Sequence, residues 1–113
     1  MILEGLQFSY VLHELPRDRL PLRRWRFELW HGPRLEAAGW RTTERDALRA
    51  LRGHASRVAH AIFGLRAPAG DAGAVGPALR PGAAVRVLHG GIAYSLVPRR
   101  LELPGTPAAT HER

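Results

Sequence analysis

The sequence predicts an α+β fold: a three-stranded antiparallel sheet with one helix packed on it, followed by a C-terminal β-hairpin. Three observations carry this expectation. Three stretches within the first 41 residues alternate apolar and polar side chains, the period-two signature of half-buried strands. One later stretch repeats apolar residues at steps of three and four, as a helix lying on a sheet does. Two short apolar runs near the C-terminus are joined by His89-Gly90-Gly91, a hairpin signal because glycine takes positive φ without strain.

Each element follows from its residues. In residues 3–13, Leu6, Phe8, Tyr10 and Leu12 fall on one side, and Gln7, Ser9, Val11 and His13 on the other. The segment 15–21 holds two prolines around charged residues and reads as a loop. In residues 22–30, Trp25, Phe27 and Leu29 alternate with Arg24, Arg26, Glu28 and Trp30. A turn at His31-Gly32-Pro33-Arg34 leads to a third strand, 35–41, carrying Ala38 and Trp40 on one side. The helix starts at Thr43, a natural N-cap, with Asp46 three residues on in a shortened capping box. Its stripe is Leu48, Leu51, Ala55, Val58, Ala59 and Ile62, and Gly64 supplies a stop. Gly53 interrupts the helix at a cost of about 1 kcal/mol against alanine. The final strands are expected at 84–88 and 92–97, with Leu101 and Leu103 in a short extra one. The resulting organisation is a β-β-β-α core over 1–66, an Ala/Gly/Pro-rich linker over 67–82, the hairpin of the same domain over 83–104, and a flexible tail over 105–113. The hairpin can extend the sheet, roof its second face, or enter a dimer contact. Phe8, Tyr10, Trp25, Phe27 and Leu29 are expected to meet Leu48, Leu51, Val58, Ile62 and Phe63 in the core.

Composition bounds the function. The chain has 113 residues, 45% apolar, which suits one domain with a core. No apolar run is long enough to span a bilayer, and no secretory signal is visible, so a cytoplasmic location without membrane association is expected. Cysteine is absent, which removes disulfides, thiolate metal sites and cysteine nucleophiles. The formal net charge is +7, and every cation is arginine. Coding in a GC-rich genome accounts for arginine in place of lysine, but not for the excess over acids, which creates a field that attracts polyanions. The excess is local. Arg17, Arg19, Arg23, Arg24 and Arg26 face only Asp18, and residues 47–70 hold Arg49, Arg52, Arg57 and Arg66 with no acid.

If the second and third strands pair across the 31–34 turn, Arg24, Arg26, Trp30 and Trp40 share the sheet face that the helix does not cover. Guanidiniums contact phosphates, and indoles offer flat surfaces for base stacking. The same residues would instead be core if the hairpin covered that face. A second basic surface is the helix stripe Arg45, Arg49 and Arg52, for which an ordinary solvated helix face is the favoured reading. Catalytic patterns are weak. His54 and His60 are six apart, on different sides of the helix, so a metal site is not expected. Ser56 and His60 lie at i, i+4, but no orienting acid is near, and two exposed polar residues are the simpler reading. The glycines at 70, 73 and 76 lack the strand and the Lys-Ser/Thr of a phosphate loop.

The β-β-β-α order over residues 3–64, with its basic sheet face, resembles the small DNA-binding modules at the N-termini of phage integrases. The resemblance lies in topology, and no site residue is carried over from it. The expected function is therefore that of a small, basic, non-catalytic module binding nucleic acid through Arg17, Arg19, Arg23, Arg24, Arg26, Trp30, Trp40, Arg45, Arg49 and Arg52, without cofactor or metal. The alternative is a protein-interaction or homodimerisation module acting as an adaptor through the sheet face or the hairpin.

Overall fold

A computed structural model describes residues 3–15, 24–68 and 79–99. Arg17, Arg19, Arg23, most of the 67–82 linker, the strand expected at Leu101–Leu103 and the tail over 105–113 lie outside the described residues. The elements in chain order are β1 (Leu3–Glu14), β2 (Trp25–His31), β3 (Arg34–Arg41), α1 (Glu44–Ile62), β4 (Val85–His89) and β5 (Ile92–Pro98).

The fold is α+β, but the three-stranded antiparallel sheet with a separate hairpin is corrected. All five strands form one mixed sheet in the order β3-β2-β1-β5-β4. β1 pairs antiparallel with β2 from Ser9↔Trp30 to Glu14↔Trp25 and parallel with β5 from Leu3↔Ile92 to Tyr10↔Pro98. The hairpin joins edge-on because its apolar side continues that of β1. Val87, Ile92, Tyr94 and Leu96 are buried with Phe8 and Tyr10 in one core, and docking beside β1 satisfies the backbone of both strands as well. At its tip Gly90 and Gly91 have φ of 61° and 79°, the two positive values that a tight hairpin turn between paired His89 and Ile92 needs.

The helix forms with the expected ends. Thr43 Oγ1 accepts a hydrogen bond from the Asp46 amide at 3.1 Å. At the other end Gly64 N–H donates to the Ala61 carbonyl and Leu65 N–H to that of His60, a Schellman closure that satisfies two terminal carbonyls. The buried side differs from the stripe expected. Ala47, Leu51, Ala55 and Ala59 are fully buried, Leu48 and Val58 are only partly so, and Ile62 is 43% exposed. Arg52, Ser56 and His60 are buried as well, since β5 and β4 lie beneath a side of the helix that a three-stranded sheet would have left open. Of the expected core, Phe8, Tyr10, Phe27, Leu29 and Leu51 take their places, while Trp25 and Phe63 pack at its margin.

Two further contacts complete the core at the two ends of the sheet. Tyr10 Oη donates to the Ala83 carbonyl at 2.6 Å and approaches that of Arg80 at 3.2 Å, tying the segment before β4 across β1. Gly39 on β3 lies opposite Phe27, and a Cβ there would come within 2.9 Å of two ring carbons. The glycine is thus the space that the Phe27 ring occupies. Replacing Gly39 by alanine is expected to destabilise the fold by about 1–3 kcal/mol through overpacking. Chemical denaturation checks this: an unchanged midpoint would mean that the Phe27 ring lies elsewhere.

Candidate nucleic-acid interface

Because the hairpin extends the sheet, no described helix or strand covers the face opposite α1, although Val11 and Ala93 on it are only 6% and 3% exposed. Strand alternation puts Phe27 and Leu29 into the core, so Arg26, Glu28 and Trp30 point to that face. Arg26 sits directly across from Trp40 on β3, and Ser9 across from Trp30 on β1. The pairing of the second and third strands that the sequence suggests is therefore present, and it brings Arg26, Trp30 and Trp40 together.

Glu28 organises the patch. Its carboxylate accepts from Arg26 Nε at 3.3 Å and Nη2 at 3.2 Å on one oxygen, and from Trp30 Nε1 at 2.9 Å on the other. The Arg26 guanidinium lies 5.2 Å from the centre of the Trp40 ring, and that indole is 42% exposed. Alternation places Glu28 on this face in the sequence, but does not reveal that it grips both neighbours. One consequence tempers the expected field: the charge of Arg26 is offset by a carboxylate of the same strand.

Arg99 was not expected at all. It follows β5, where pairing with β1 carries it to the sheet centre, and its backbone N–H donates to the Tyr10 carbonyl at 2.7 Å. The guanidinium stacks 4.2 Å above Trp30, while Nη1 donates to Ser9 Oγ at 3.1 Å and to the Gly32 carbonyl at 2.8 Å. Trp30 is consequently half-buried between Arg99 and Glu28, and Trp40 is the more accessible indole. Nothing local in the sequence links Arg99 to Ser9, because the pairing spans almost the whole chain.

The remaining predicted residues divide. Arg24 is exposed just before β2, and its carbonyl accepts from the Leu15 amide at 3.0 Å. Arg45 and Arg49 are exposed on α1, away from the patch on the sheet. Arg52 is a correction: it is 4% exposed, turned toward β5, and cannot contribute to a continuous basic stripe. The expectation that Ser56 and His60 are exposed is also overturned, since they are 0% and 2% exposed. Ser56 Oγ lies 2.5 Å from Nδ1 of His89, and His60 Nδ1 donates to the Ser56 carbonyl at 2.8 Å. The Ser56–His89 pair has the atoms of a nucleophile and base, but a fully enclosed hydroxyl presents no surface to a substrate. Its evident role is to satisfy polar groups between α1 and the β4–β5 hairpin. Among the described residues no group of three or more His, Asp or Glu could hold a metal ion, and no helix is long and apolar enough to cross a membrane.

Comparison with protein-family models, with curated proteins and with solved structures found no match for this chain. The functional reading therefore rests on the geometry of the patch.

Two imidazoles give the fold a pH dependence. Burial lowers the pKa of His89, helped by the neighbouring His60, and burial lowers that of His54, helped by Arg57 and Arg41. A depressed folded-state value means that the neutral ring favours folding. This contribution is complete above about pH 6.5, the ordinary imidazole value, and is lost as pH falls through the lowered values. The thermal midpoint is expected to fall on acidification from neutrality, with a shallower fall in His89→Gln, whose amide can still accept from Ser56. An identical pH profile in the variant would show that His89 carries none of the effect.

Proposed function

We propose that the chain is a small, basic, non-catalytic module that binds nucleic acid through the open face of its sheet. The observation that supports the reading is the pairing of two guanidiniums with two indoles on a sheet face that no described element covers: Arg26 with Trp40, and Arg99 with Trp30. In this reading Trp40 supplies a stacking surface for a base, and Arg24, Arg26 and Arg99 meet phosphates. The formal charge of +7 supplies the long-range attraction. Glu28 acts as a placeholder: it orients Arg26 and Trp30 in the unbound protein and competes with phosphate for the guanidinium. Arg17, Arg19 and Arg23 enter the proposal on charge alone, and Arg45 and Arg49 as a secondary basic surface.

A second reading is favoured by a different observation. Leu35 and Trp40 on β3 and Leu88 on β4 are 45%, 42% and 53% exposed, and these are the two outer strands of the sheet. A second copy or another protein could add a strand there, giving an assembly that tolerates salt. Sedimentation at high salt separates the readings, because counterion-driven binding to nucleic acid weakens there and strand addition does not.

Fluorescence anisotropy with single-stranded and duplex oligonucleotides over a salt series tests the main reading. Changing Arg24 and Arg26 together to alanine should reduce the slope of log affinity against log salt by about 1–2 units. Trp40→Ala should weaken single-strand binding by about 1–3 kcal/mol with little change in slope. Glu28→Gln keeps an acceptor for Trp30 but removes the competing charge, so affinity should rise. A salt slope indifferent to the arginines, or an affinity lowered by Glu28→Gln, would contradict the roles assigned to them.

A further inference from the structure

On the helix side of β3 the structure holds a second basic feature, of which the proposed function draws only on Arg49 as part of a secondary surface. A cleft of about 360 Å³ lies between the end of β3 and α1, lined by Arg41, Asp46, Arg49, Gly53, His54 and Arg57. Three guanidiniums and an imidazole thus converge with one carboxylate among them. Like charges repel, so such a gathering favours an anion placed among them. Burial lowers the pKa of His54, and the flanking Arg57 and Arg41 lower it further.

Arg41 and Arg57, though exposed, are tied to neighbouring groups. Phe27, itself buried, is a platform for two of its members. The Arg41 guanidinium lies 5.2 Å from the ring centre, and His54 stacks on the ring at 5.7 Å with an interplanar angle of 26°. Arg41 Nη1 also donates to the Trp40 carbonyl at 2.7 Å, and Arg57 Nη2 donates to His54 Nδ1 at 2.9 Å. Cations fixed before a ligand arrives lose less conformational freedom on binding it.

Gly53 is the second observation. Helix propensity disfavours glycine in mid-helix, and something in the fold normally explains its presence. Here packing does not. Gly53 is absent from the positive-φ glycines, and a Cβ there would meet only Arg57 Nη1, at an ordinary 3.6 Å. Alanine would fit the fold. What glycine provides is a bare wall beside the Arg57 guanidinium, inside the cleft.

We propose that this cleft is an oxyanion site for a phosphate group, with Arg41 and Arg57 as its principal donors. A free phosphate monoester and a nucleic-acid strand present the same group, and the recognition chemistry is shared. The site opens on the opposite side of β3 from the Trp40 ring. Inorganic phosphate has no base to stack, so its binding does not depend on the sheet-face reading, and the two can fail separately.

The test is NMR of the His54 ring during titration with inorganic phosphate, against chloride at equal ionic strength as the control for screening. Bound phosphate should move the ring resonances and raise the His54 pKa, because an adjacent anion favours the imidazolium. By linkage, affinity for sulfate, an oxyanion whose own charge is constant in this range, should rise as pH falls from neutrality. Arg57→Gln should weaken phosphate binding about tenfold or more. Gly53→Ala should raise the thermal midpoint and yet weaken phosphate binding, a combination that a purely structural glycine would not give. Oligonucleotides with and without a 5′-phosphate then identify the source. Movement with both assigns a backbone phosphate, movement with the phosphorylated one alone assigns a strand end, and movement only with inorganic phosphate or a nucleoside monophosphate assigns a small ligand. Equal shifts with chloride, or binding unchanged in Arg57→Gln and Gly53→Ala, would overturn the proposal.

Discussion

The parallel pairing of β1 with β5 decides the rest of this structure. β1 serves two neighbours, with Leu3–Tyr10 held by β5 and Ser9–Glu14 by β2. A hairpin with an apolar side must place that side against something, and the two options were the helix layer or the opposite face of the sheet. Pairing with β1 chooses the helix layer, because Tyr94 and Leu96 fall in register with Leu6 and Phe8. Two consequences follow at once. Among the described residues no element covers the other sheet face, and α1 gains a buried side along Arg52, Ser56 and His60 that an isolated three-stranded sheet would not have made.

The same layout explains why polar chemistry sits where it does. Between α1 and the hairpin, burial forces polar groups to find each other, and Ser56, His60 and His89 do so. On the open face water is available, so Arg26, Glu28 and Trp30 are arranged by their own contacts and not by enclosure. A partly exposed ion pair between residues of one strand adds modestly to stability. Its effect is geometric, because a carboxylate that binds a guanidinium with one oxygen and an indole N–H with the other fixes the relative positions of both. Edge strand β3 then separates two basic features, with Trp40 directed to one side and Arg41 to the other.

Local features were legible in the sequence. Strand alternation at Phe8/Tyr10 and Phe27/Leu29, the Thr43 cap, the Gly64 stop and the Gly90-Gly91 turn depend on a few neighbouring residues, and all are present. The grouping of Arg26, Trp30 and Trp40 was legible too, since it needed only one hairpin. What the sequence left open depends on distant pairing. Arg99 reaches Ser9 only because β5 lies beside β1. The buried side of α1 was misplaced because its alanines fit either of two adjacent rows, and Arg52, Ser56 and His60 look like surface residues until β4 and β5 are set beneath them. Glu28 was placed on the right face, but a bidentate grip is a matter of side-chain geometry that alternation does not encode.

The three tryptophans allow the central claim to be examined within one molecule. Trp30 and Trp40 belong to the open face, whereas Trp25 packs at the margin of the core on the helix side. Their indole N–H resonances can be followed separately while a short oligonucleotide is added. The account predicts that the Trp40 signal moves most, that Trp30 moves with it as Arg99 and Glu28 readjust, and that Trp25 stays in place. Movement of Trp25 while Trp30 and Trp40 remain still, or no movement of any, would contradict it.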